Sequence, residues 1–176
     1  MNRAAARNDA FKKSTGDILI INDADTFCNQ SVLDLAVDMV NEDARTWVIP
    51  FDVYYNLTQD FTDELLDGPE IHTPLPSEVQ YDHRITHVEH PPEGSVAGVL
   101  VVPRAAYEAT DGYDERFKGW GYEDDSQAWK WDHEWYPHKR LAGPCYHLWH
   151  PPAVDGDFKN PHIDENRRLF KEIKRG

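Results

Sequence analysis

Four consecutive apolar residues, Ile18-Leu19-Ile20-Ile21, stand between Asp17 and the polar run Asn22-Asp23-Ala24-Asp25. The run is too short for a helix and does not alternate, so it reads as a strand covered on both faces, placed centrally in a mostly parallel sheet. Such a strand needs helices above and below it, which confines the chain to an α/β layering. The flanks supply them. Residues 3–14 are Ala-rich with a basic face and read as a helix stopped by Ser14-Thr15-Gly16-Asp17. After a cap-like Ser31 with Asp34, residues Val32, Leu35, Ala36, Met39 and Val40 recur at helical spacing.

Further on, residues 47–51 and 53–57 read as extended, with one or two helical turns over 60–66. A surface excursion rich in proline and histidine fills 68–94, with strand character only over 81–88. Residues 95–102 form a second buried strand, 104–110 a short helix, 124–135 a helix rich in Trp and acid, and 164–174 a charged helix. No internal repeat interrupts this order, so residues 1–176 are expected to form one domain.

Composition supports a packed core: 40% of residues are apolar and six are Trp. The formal net charge of −14 repels nucleic acid and anionic lipid, which removes both as expected partners. No run approaches the roughly 18 apolar residues of a membrane span, and the first residues lack the apolar stretch of a secretory signal. With two cysteines and no disulfide framework, a cytoplasmic location is expected. Without entry to the secretory route, the acceptor-like Asn56-Leu57-Thr58 is not expected to be glycosylated.

Three motifs carry chemistry. Asp23-Ala24-Asp25 follows the first strand, and residues two apart on an extended segment point the same way, so both carboxylates are expected to converge. Ligands of open α/β sheets sit beyond the carboxyl ends of strands, where two acids suit an oxygen-seeking cation that also holds phosphate. Alone, the pair is equally an ordinary Asx-type turn. The second motif, Gly119-Trp120-Gly121-Tyr122-Glu123-Asp124-Asp125, sets an indole beside three acids. Acids at a helix start are favoured by its dipole, but Trp also offers an apolar face to a sugar ring, with carboxylates for its hydroxyls and for proton abstraction. The third, His147-Leu148-Trp149-His150, supplies imidazoles for a metal.

Other clusters weigh less. His83, His87 and His90 have helical ligand spacing, but Pro91-Pro92 and the alternating pattern favour a strand or loop over a metal site. Trp129, Trp131 and Trp135 read as core packing rather than as a carbohydrate platform.

Taken in order, Asn2-Arg3-Ala4 with Asn8, Gly16-Asp17, Asp23-Ala24-Asp25, the block 119–125 and His147 resemble the GT-A glycosyltransferases. The likeness is greatest to the beta-1,4-galactosyltransferase and polypeptide GalNAc-transferase relatives, whose C-terminal half carries G-W-G-x-E-D-D. The resemblance implies a GT-A-like (Rossmann-like) fold with flanking helices and metal-dependent hexosyl transfer from a nucleotide-sugar, a UDP-sugar, to a carbohydrate or glycoconjugate hydroxyl. It further implies Mn²⁺ or Mg²⁺ held by Asp23, Asp25 and His147, with His150 as the alternative to His147. Arg3 and Asp23 fall to the nucleotide, Trp120, Gly121 and Asp125 to the substrate, and Asp124 with Glu123 to catalysis, Asp124 as base. The two acids after Glu123 resemble inverting members and imply inversion at the anomeric carbon.

Two departures stand out. Tyr122 occupies a position where the family often has Gly, and Asp111 precedes Gly112 where another Gly is common, so Tyr122 is expected to narrow the acceptor site. The strand, helix and strand that usually precede the position of Asn2 are missing, which leaves the chain N-terminally short. A fragment, a partner chain or oligomer completing the donor site, and a vestigial donor pocket all fit. The competing functions are therefore a catalytically silent sugar- or nucleotide-binding module and a metal-dependent hydrolase.

Overall fold

The computed structural model describes residues 2–68, 73–75, 77–86, 96–151 and 160–175. Six helices are assigned: α1 (Arg3–Lys13), α2 (Gln30–Glu42), α3 (Gln59–Asp67), α4 (Arg104–Ala109), α5 (Glu123–Lys130) and α6 (Ile163–Ile173). The strands are β1 (Ile18–Asn22), β2 (Thr26–Cys28), β3 (Val48–Ile49), β4 (Val53–Leu57), β5 (Tyr81–Thr86), β6 (Val99–Pro103), β7 (Lys139–Arg140) and β8 (Pro144–His147). They form two four-stranded sheets, ordered β1-β6-β3-β7 and β2-β8-β4-β5. The α/β class is as expected, but the strand direction is not.

Among the described residues, β1/β6, β3/β6, β2/β8 and β4/β5 pair antiparallel, and only β3/β7 and β4/β8 pair parallel. The sheets are mixed rather than mostly parallel. Nor is β1 central: it stands at the end of its sheet, and Ile20 is 50% exposed. The inner strands are β6 and β3, and β6 is buried at all five positions. An apolar run reports that a strand packs, and says nothing of its direction or of how many neighbours it has.

Local chemistry explains the helix ends. The Asn2 side chain accepts the Ala5 N–H at the start of α1, and Lys12 and Lys13 meet the negative end of its dipole. At α2 the cap is Asn29, which accepts from Ser31, rather than Ser31 itself. Helix α1 is docked by Asn8, whose Oδ1 accepts from Tyr107 Oη at 2.7 Å and from the Tyr113 N–H at 3.0 Å, while its Nδ2 donates to Tyr113 O. Phe11 stacks on Tyr107 with centroids 4.3 Å apart.

Helix α5 runs into a π-helical turn, Trp131–Trp135, which seats Trp131 in the core edge-on to Trp47. A second cluster of Tyr55, Leu57, Phe61, Leu65 and Tyr146 lies beneath α3. Leu57 is buried in it, so the Asn56-Leu57-Thr58 tripeptide belongs to the core edge, and Thr58 caps α3 by accepting the Phe61 N–H. His83 lies exposed in β5, while His87 and His90 fall outside the described residues. No described helix is long and apolar enough to cross a membrane.

Candidate active site

The β1–β2 turn opens the site. Asn22 Nδ2 donates to the carbonyls of Asp23 and Thr26, and the Thr26 N–H returns to Asp23 O, so residues 23–25 curl instead of staying extended. The expected convergence of Asp23 and Asp25 therefore does not form. Asp23 turns to α1, where Arg7 Nη2 donates to it at 2.8 Å and Arg3 stands at 3.7 Å. Asp25 turns to the end of β8, with its Oδ2 3.6 Å from His147 Nε2 and 3.3 Å from His150 Nε2. The Leu148 N–H donating to Asp25 O at 2.8 Å ties the two chain segments together.

Asp25, His147 and His150 thus present three ligand atoms within 4.8 Å of one another, and Asp23 is not among them. The His150 Nδ1 lies 3.0 Å from Pro151 O, which suits a protonated Nδ1 and leaves Nε2 with a free lone pair toward Asp25. Burial, aided by His150 and opposed by Asp25, lowers the pKa of His147 and favours its neutral, ligating form. Two imidazoles and one carboxylate suit a first-row transition-metal dication better than Mg²⁺, which prefers oxygen alone; among such ions Mn²⁺ has the greatest tolerance for the carboxylate.

Across the turn stands the N-terminus of α5. Glu123 is 3% exposed: its Oε2 accepts the Gly121 N–H at 2.7 Å, and its Oε1, without a hydrogen bond, has the Arg3 guanidinium at 3.6 Å. Asp124, 9% exposed, pairs with Arg7 Nη1. Its pKa is raised to about 7, chiefly by burial and further by Glu123 and Asp23, against the opposing pull of Arg7 and Arg3. Burial disfavours the charge on Arg7, but Tyr113, Asp124 and Asp23 outweigh it and keep the guanidinium protonated. Asp125 is exposed on α5, and Trp120 presents an indole 57% exposed just before the acids.

Five groups, Arg3, Arg7, Asp23, Glu123 and Asp124, thereby form one ionic network joining α1, the β1–β2 turn and α5. A cavity of about 270 Å³ opens onto it, lined by Arg3, Ala6, Arg7, Ala10, Asn22, Asp23 and Ala24. Arg7 was not singled out by motif, although its place four residues after Arg3 on one helix face was a legible signal.

Both departures from the family pattern acquire a backbone reason. Tyr122 (φ 72°) and Asp111 (φ 56°) are the described non-glycine residues in the left-handed region, where glycine carries no Cβ penalty. The Tyr122 ring does not narrow the indole's surroundings. It turns to α6, against Phe170, and its hydroxyl accepts from Arg167 Nε at 2.9 Å.

The chain is similar in fold to solved structures and in sequence to two family models. The catalytic domain of Drosophila beta1,4-galactosyltransferase 7 in complex with xylobiose is 12% identical, with a TM-score of 0.46 over 97% of this chain and 60% of that one. GalNAc-T7 with UDP, GalNAc and Mn²⁺ is 16% identical, with a TM-score of 0.54 over 98% of this chain and 36% of that one. The chain thus spans less than two thirds of the first of these structures and little more than one third of the second. No curated protein matches it. A model of the N-terminal domain of galactosyltransferase matches residues 81–151, and the model of glycosyl transferase family 2 matches residues 2–99. That second match covers more than half of the sequence and contains the β1–β2 turn and both arginines, so the chain, folded as a GT-A glycosyltransferase, belongs to glycosyl transferase family 2.

Proposed function

We propose that residues 1–176 act as one domain that transfers a hexosyl group from a nucleotide-sugar, a UDP-sugar, to a hydroxyl of a carbohydrate acceptor with inversion at the anomeric carbon. The observation that carries this reading is that one strand turn serves two chemistries. Asp25 faces two imidazoles while Asp23, two residues earlier, faces Arg7, which also holds the buried acid Asp124, and Arg3, which pairs with Glu123.

Asp25, His147 and His150 would hold the cation, and when bound it offsets charge on the departing diphosphate. Arg3, beside the small cavity, contributes a fixed positive charge on the nucleotide side. Trp120 offers a flat apolar surface to the acceptor ring, and Gly121 and the exposed Asp125 beside it complete the substrate side. In the transfer itself the acceptor oxygen forms a bond to the anomeric carbon as the bond to the diphosphate oxygen breaks. The nucleoside diphosphate leaves with the electron pair, and the hydroxyl proton goes to the carboxylate of Asp124. Glu123, anchored on the Gly121 N–H, holds the preceding loop in place and shapes the field around the base.

The test is calorimetric titration of UDP with Mn²⁺ and then with chelator, followed by transfer from UDP-galactose and UDP-GalNAc to xylobiose, N-acetylglucosamine and galactose. Metal-dependent UDP binding with turnover supports the reading. Binding of sugar without metal or turnover would leave a silent module, and release of sugar to water without acceptor a hydrolase.

A further inference from the structure

The backbone of residues 118–121 cannot support itself. Gly119 (φ 68°), Gly121 (φ 107°) and Tyr122 (φ 72°) are left-handed within four residues, a path that forms no regular turn. Apart from the Gly121 N–H, which Glu123 accepts, its polar groups are met by side chains from far along the chain. Asn166, fully buried, accepts the Lys118 N–H at 3.1 Å through Oδ1 and donates through Nδ2 to Lys118 O at 3.0 Å and Gly121 O at 2.9 Å. Asn160 Nδ2 donates to Lys118 O at 2.7 Å and Trp120 O at 2.5 Å.

The fit is close enough to dictate the glycines. A Cβ on Gly121 would lie 2.5 Å from Ile163 Cδ1, and one on Gly119 2.9 Å from Asn160 Oδ1. Two peripheral contacts, Lys118 with Glu165 at 3.1 Å and Arg167 with the Tyr122 hydroxyl, extend the same seam. Asn160 is itself held, because its Oδ1 accepts the His162 N–H at the entry to α6, and Asn166 lies one turn into that helix. The loop so gripped carries the exposed indole of Trp120 and leads at once into Glu123 and Asp124.

We infer that Asn166 and Asn160 are positioning residues for acceptor recognition: by satisfying the carbonyls of Lys118, Trp120 and Gly121 they fix the indole of Trp120 relative to the acid pair. Neither touches the reacting groups. Their action is to select one backbone path, and misplacement of a positioning group by about an ångström costs up to about a hundredfold in rate. The inference rests on the transferase reading for its functional consequence, while the clamp itself does not.

Asn166→Asp keeps size and the acceptor oxygen but removes both N–H donors. Asn160→Asp does the same at a half-buried position and introduces no fully buried charge. Acrylamide quenching of the Trp120 emission, isolated by subtracting the matching Trp120→Phe variants, is expected to rise about twofold in both, since an unheld indole is more accessible. With the trial acceptor that is turned over, acceptor KM is expected to rise about tenfold, with donor KM and calorimetric UDP–Mn²⁺ affinity within about twofold of the parent. Unchanged Trp120 quenching in folded Asn160→Asp overturns the inference, as does a parallel loss of donor and acceptor binding. If Asn166→Asp fails to fold, Asn160→Asp still decides. If the unsubstituted protein neither binds UDP nor transfers sugar, the transferase reading fails alone, and quenching still reports on the clamp.

Discussion

The two halves of the site are built differently. The imidazole side, Asp25 with His147 and His150, stands at strand ends, partly open to solvent, with its three ligand atoms within 4.8 Å of one another. The acid side, Asp124 and Glu123 with Arg7 and Arg3, is sunk at a helix start and paired from within, with Asp23 sharing both guanidinium groups. An open cluster of this kind has room to take up an external cation, whereas a buried ionic network depends on every internal partner staying in place. Both grow from the same turn, which parts Asp23 from Asp25.

The sharpest way to break the contrast is Asp124→Asn, which keeps shape and removes the carboxylate proposed as base. Transfer is expected to fall about 10²- to 10⁴-fold, with UDP–Mn²⁺ affinity little changed. Next, Arg7→Met leaves Asp124 and Asp23 without their shared cation, and urea denaturation should show a loss of about 3 kcal/mol, because an uncompensated buried carboxylate remains. On the imidazole side, Asp25→Ala should weaken UDP binding in Mn²⁺ about tenfold or more while leaving thermal stability near that of the parent. An equal loss of stability in both variants would erase the distinction.

The pH dependence sharpens the contrast further. In the proposed role as base, Asp124 must be ionised to accept a proton, so with its pKa raised to about 7 the rate should climb with pH and level off above that value. Stability from this group runs the other way. Its folded pKa lies above the ordinary value of 3.8, so folding favours the protonated form and its contribution declines as pH rises from about 4 toward 7. Parallel pH–rate and pH–denaturation series distinguish the two. The groups facing Asp124 that set the midpoint are Arg7 and Arg3 from α1, Glu123 from α5, and Asp23 from the turn. The smallest effect belongs to Asp111→Gly, expected to add about 1 kcal/mol by relieving a left-handed non-glycine residue away from both clusters.

Much of the fold was legible. Helices α1, α2 and α6 and strands β1, β4 and β6 lie close to where periodicity and apolar runs set them, and the buried Trp131 is core as expected. Strands β7 and β8 were not legible, because each is a short run whose extended form exists only through pairing with β3, β4 and β2. That pairing also sets Cys28 opposite Cys145, a proximity no sequence spacing shows. Within the site, residue types were legible and partners were not. Asp23 reads as half of a metal pair, yet its carboxylate goes to arginines.

From composition and order alone, the chain carries its layering, its acid and imidazole inventory, and the glycines and asparagines that a strained loop will require. Those are properties of residue type, backbone freedom and short-range period. Only the tertiary structure decided that the strands run mixed, that Asp25 and Asp23 part company, that Arg7 bridges Asp23 to Asp124, and that α6 grips the Trp120 loop. Direction of pairing and choice of ionic partner depend on groups far apart in the chain, as with the 117 positions between Arg7 and Asp124, and no local pattern encodes them.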